Sequence, residues 1–139
     1  MRTGTLFLFA CLLLGIALLV GLWSWPSYQH QRQIKSGQQA AELGAQLAFM
    51  ENMYYERTGD FTADFSRLEP FLETQIPCPL SQSPYYCEGY VYTLEQSNWL
   101  LASFQKDPEK YIAFDLKNGT VDCSHAPGNL EALPICSSL

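Results

Sequence analysis

Four cysteines, Cys78, Cys87, Cys123 and Cys136, lie in the later part of this chain, and a fifth, Cys11, sits alone in an uncharged apolar run. An even set of thiols confined to one compartment suits disulfide chemistry in an oxidising space. Four thiols allow three pairings, and local loop closure favours Cys78 with Cys87 and Cys123 with Cys136. Metal chemistry is poorly served, because no C-x-x-C occurs and His125 is the only nearby imidazole. Cys11 reads as an inert, small apolar residue of a helix, with lipid attachment the lesser alternative.

Other reactive constellations are missing. His30 and His125 are too few and too far apart to supply a general base with an orienting partner. No Ser/His/Asp set, phosphate loop or metal-ligand spacing is present, so neither an enzyme nor a cofactor is expected. Tyrosines are the remaining functional side chains. Tyr85, Tyr86, Tyr90, Tyr92 and Tyr111 could stack on DNA bases or meet a surface or another subunit. The simpler expectation is that alternate residues of a strand at 90–94 pack inward. Tyr85 and Tyr86, in a loop closed by Cys78–Cys87, are expected to be exposed and are the candidate binding residues. Asn118-Gly119-Thr120 fits a glycosylation sequon, but a hairpin turn explains it without modification.

These residues depend on a long leading segment. Residues 6–25 form an uncharged apolar run of 20 residues, roughly 30 Å as a helix, which matches one hydrocarbon core. It is longer than the apolar part of a secretory signal, and Leu22-Trp23-Ser24-Trp25-Pro26 lacks the small-x-small cleavage pattern. Trp23 and Trp25 suit a membrane interface instead, so an anchor is expected. Formal net charge is -6, and Arg2 is the one basic residue before the run. Arg2 and the α-amino group place the N-terminus in the cytoplasm and the head outside. Beyond Pro26 there are 14 acids against seven bases, which argues against broad binding of a phosphate backbone.

After Pro26 the chain stays helical but turns polar. Leu43, Leu47, Met50 and Tyr54 recur at helical spacing, with Gln38, Gln39, Glu42, Gln46 and Glu51 on other faces. Pro26 should kink the helix rather than end it. Ser36-Gly37 and Gly44 weaken it modestly. Arg57-Thr58-Gly59 resembles a C-terminal cap. A short helix is expected near residues 64–72, then a proline-rich loop over 76–84. β-rich runs follow at 90–94, 99–104 and 111–116, and Asn118-Gly119 signals a two-residue hairpin returning through 120–122. The expected fold class is α+β: a long N-terminal helix packed on a head of three or four antiparallel strands. A head of roughly 80 residues is near the lower limit for a self-sufficient core, so staples are expected.

This layout resembles a type IV pilin or a pilin-like minor subunit. Met1-Arg2-Thr3-Gly4 is similar to the family's short leader ending in glycine, and Pro26-Ser27-Tyr28-Gln29 resembles its common P-S-Y-Q. The spacing from Gly4 to Pro26 fits, residues 50–61 resemble the stalk end of many pilins, and a disulfide near the C-terminus looks like the closing loop. The resemblance implies residues 1–4 as leader and 5–25 as the membrane half of the helix. Residues 26–59 are then its polar half and 60–139 the disulfide-stapled head. Gly4 and Thr5 would be the processing residues, cut by a prepilin peptidase, with Thr5 as a mature N-terminus open to methylation.

One position departs from the family. Its fifth mature residue is usually glutamate, and this chain has Phe9 there; Thr5 also replaces the usual phenylalanine. Some minor subunits share the missing carboxylate, so the departure leans towards a minor role. The implied function is a structural subunit of a type IV pilus or related fibre. It would be stored in the bacterial inner membrane as a single-pass protein with a periplasmic head, then moved into an extracellular pilus. Implied partners are other pilin subunits, the assembly machinery and the peptidase. The alternatives are a fibre-displayed module capturing DNA or a surface, and an unprocessed single-pass membrane protein.

Overall fold

The computed structural model describes residues 2–128 and 134–137. Met1 of the expected leader, and residues 129–133 and 138–139 of the expected head, lie outside the described residues. The chain divides into two compact units, Met1–Lys35 and Ser36–Leu139.

The first unit is helical throughout its described length, as part of helix α1, Arg2–Thr58. Thr3–Gln29 is long and apolar enough to cross a membrane, with mean hydropathy 2.7 and none of its most apolar window buried. Pro26 sits inside the helix without ending it. A proline removes one donor from the helical ladder. Side-chain hydroxyls add donors on either side: Ser24 Oγ donates to Gly21 O at 3.3 Å and Ser27 Oγ to Ser24 O at 3.1 Å.

In the second unit, the later part of α1 buries Ala40, Leu43, Leu47 and Met50, one stripe at helical spacing. Tyr54 is half-buried and packs against the same core. The helix ends where its cap residues place it. Gly59 takes φ +84° and donates its N–H to Tyr55 O at 2.8 Å, an αL stop that glycine adopts at little cost. The chain then reverses, with Phe61 stacked on Tyr55 at 4.7 Å between ring centroids. The short helix is a 3₁₀ turn, Phe65–Phe71, capped by Asp64 and carrying Pro70. It buries Phe65 and Leu68.

The sheet has five strands rather than three or four. They are β1 (Tyr85–Cys87), β2 (Tyr90–Glu95), β3 (Trp99–Phe104), β4 (Asp107–Asp115) and β5 (Thr120–Asp122), antiparallel in sequence order. The extra strand is β1, which pairs with β2 across a two-residue turn whose Glu88 and Gly89 both take positive φ. β4 starts earlier than its apolar run, with an irregularity at Ser103/Phe104 that re-registers the hairpin. The Asn118-Gly119 turn also differs. Asp115 pairs with Thr120, leaving four loop residues. The Asp115 carboxylate holds them, accepting from Lys117 N at 3.0 Å, Asn118 N at 3.1 Å and Asn118 Nδ2 at 2.7 Å. Burial disfavours its charge, but these hydrogen bonds together outweigh that and hold its carboxyl below the usual value.

Tyr85, Cys87, Tyr90, Tyr92, Leu100, Ala102, Ile112 and Phe114 line one sheet face and join the α1 stripe in the core. Gly44 lets the helix approach: a Cβ there would lie 2.5 Å from Phe114 Cε2. Beyond β5 the chain is described through residue 128 and again in the short helix α2, Pro134–Ser137, which Cys136 ties back to Cys123.

Candidate functional site

Among the described residues, most of the exposed large apolar side chains lie on the first unit. Leu6, Phe7, Leu8, Phe9, Leu12 and Leu13 are each more than 60% exposed. Water does not tolerate a contiguous apolar surface of this kind, which marks a membrane or protein contact. Gly4 and Thr5 lie in the first turns of this helix, both exposed. Cys11 is the free thiol among the described residues and is exposed too.

The disulfides close the two local loops, Cys78–Cys87 over a separation of 9 residues and Cys123–Cys136 over 13. The first carries β1 and separates the two candidate tyrosines. Tyr86 is 58% exposed, whereas Tyr85 is 1% exposed. The expectation that both would be exposed is therefore corrected for Tyr85. Side chains alternate across a strand, so only one neighbour of such a pair can face outward. Tyr85 packs against Phe65 and Tyr92, and its hydroxyl donates to Cys78 O at 2.6 Å. It is a core residue that fastens the stapled loop. Tyr92 is buried as well and its hydroxyl donates to Ala40 O at 3.2 Å, which fixes sheet to helix. Tyr111 lies against His125 in a tilted ring contact at 4.8 Å between centroids, so that imidazole is an aromatic neighbour.

The feature hidden from sequence reasoning is Glu51. It follows the buried Met50 on α1 and is fully buried. Its Oε2 accepts from Thr62 N at 2.9 Å, which ties the returning chain to the helix. Among the described residues its Oε1 has no partner. Burial pushes its pKa up to about 7, against a smaller opposing pull from the Thr62 N–H. Nearby, Ala45, Gln46, Phe49 and Met50 face Phe71, Leu72, Glu73 and Thr74 across an open groove of about 310 Å³. Glu73 and Thr74 are the ionisable and hydroxyl groups of this lining, and no cluster of three His, Cys, Asp or Glu able to hold a metal occurs among the described residues. Hydrophobic contact is what this arrangement offers. No protein-family model, no curated protein and no solved structure matches this chain.

Proposed function

We propose that this chain is a structural subunit, and a minor one, of a type IV pilus or related pilin-like fibre. The observation that carries the reading is the pairing of one wholly exposed apolar helix segment with a small antiparallel sheet stapled by two disulfides. The helix-on-sheet architecture is compatible with a pilin-like fold, and Gly4 and Pro26-Ser27-Tyr28-Gln29 supply the finer resemblance. Residues 5–25 hold the protein in the bacterial inner membrane and then pack among equivalent helices of a fibre. Disulfides require an oxidising compartment, so they support a periplasmic head independently of Arg2. The partners are then other subunits, the assembly machinery and a prepilin peptidase, and no catalysis is needed. With Tyr85 in the core, a DNA-reading aromatic pair is less well supported than a subunit contact. Phe9 and Thr5 favour the second reading, an unprocessed single-pass protein.

Intact mass separates the two readings. In cells with the peptidase the mature chain should lack residues 1–4, and Gly4→Leu should retain them. An uncut chain in both backgrounds would contradict the fibre reading. Phe9 avoids burying a carboxylate in lipid but forgoes pairing with a neighbour's amine. Cells making this chain as their sole pilin should therefore show no filaments by electron microscopy, and abundant homopolymers would refute the minor role.

A further inference from the structure

We infer that the face of α1 carrying Trp25, Tyr28, Arg32 and Lys35 binds the phosphate of an anionic phospholipid on the head side of the membrane. The inference rests on the proposal that this helix spans a bilayer. The four residues recur at spacings of three, four and three, so they form one stripe along the helix. Trp25 is 65% exposed and Tyr28 59% exposed. Aromatic residues of this kind mark the edge of the hydrocarbon. The Arg32 guanidinium lies 5.9 Å from the Tyr28 ring centroid, joining the aromatic level to the basic one. Arg32 lies roughly 6 Å beyond Tyr28 along the axis, about the depth of one headgroup layer, and Lys35 roughly 10 Å beyond, from where its long side chain reaches back to that layer.

Charge supports the same assignment. No Asp or Glu precedes Glu42, although the whole chain carries 14 acids and a net charge of -6. Both basic side chains are exposed, and neither enters an ion pair among the described residues. A basic stripe kept clear of acids, continuous with an aromatic belt, is complementary to a negatively charged headgroup. Exposed bases near a membrane favour anionic lipid by about fivefold each, and long side chains can reach back to the interface.

With Trp99 of β3 replaced by Phe in every protein compared, Trp23 and Trp25 report on the lipid beside the helix. The full chain is reconstituted in phosphatidylcholine vesicles, and quenching of Trp23 and Trp25 is compared for brominated phosphatidylglycerol and brominated phosphatidylcholine. The wild type should favour phosphatidylglycerol by at least about fivefold at low salt. Arg32→Gln with Lys35→Gln should abolish that preference while leaving quenching by phosphatidylcholine intact. Equal quenching by both lipids in the wild type, or a preference surviving the double substitution, would overturn the inference. Quenching by neither lipid would show that the helix does not span, which is failure of the membrane reading itself.

Discussion

Within α1, Thr3–Gln29 leaves its large side chains in the open, whereas residues 40–51 bury Ala40, Leu43, Leu47, Met50 and even Glu51. Secondary structure is the same in both stretches, and the partner differs. The later stretch is amphipathic because its own chain supplies a sheet to cover one stripe. The earlier stretch is apolar on every side, the pattern of a helix whose surroundings are apolar all round. Within its own unit the described residues of this stretch stay exposed, so in the proposed function its surroundings are lipid first and then other helices of a fibre.

The comparison breaks most sharply if charges in the earlier stretch unfold the head. Leu13→Lys with Ile16→Lys should cost about 5 kcal/mol of membrane insertion and leave the head's melting temperature unchanged. Loss of the head's thermal transition in detergent would show that the two stretches are not independent. Removing a staple should do the reverse. Cys78→Ala with Cys87→Ala should cost the head about 3 kcal/mol and leave membrane retention intact, as read by thermal unfolding and fractionation.

Glu51 sharpens the contrast through pH. Its folded pKa of about 7 lies above the ordinary 4.5, so the folded state holds the proton more tightly than the unfolded one. The resulting stability is complete below about pH 4.5 and is lost as pH rises through 7, by on the order of 3 kcal/mol. Glu51→Gln should therefore stabilise the head at pH 8 and flatten that dependence, and equal pH profiles for the two proteins would refute the assignment. The smallest effect is at the helix–sheet contact. Gly44→Ala gains about 1 kcal/mol of helix propensity but drives a methyl into Phe114, and a net loss of about 1–2 kcal/mol is expected. Stabilisation by this change would mean that the contact is looser than the geometry shows.

Much of this arrangement was readable because its signals are local. Hydropathy marked the apolar stretch, helical spacing marked Leu43, Leu47 and Met50, and Arg57-Thr58-Gly59 marked the stop. Four misses share a cause, which is information carried by other segments. β1 has only three residues beside a proline, and its pairing with β2 defines it. Tyr85 looked like a loop residue until that pairing turned it inward. The turn after β4 followed Asp115 rather than Asn118-Gly119 alone, because a carboxylate that accepts two backbone N–H groups favours a longer loop. Glu51 was assigned to a polar face by periodicity, and only the returning chain at Thr62 buries it.

Cys11 gives the most direct test of where the earlier stretch resides. It is free and exposed in the chain by itself, and the other four cysteines are held in disulfides. In isolated, non-reduced membranes opened to both sides, a water-soluble maleimide should leave Cys11 unlabelled, because lipid excludes the reagent. Dissolving the same membranes in dodecyl sulfate should then label it fully. Complete labelling of Cys11 before the bilayer is dissolved would contradict burial of this helix in lipid.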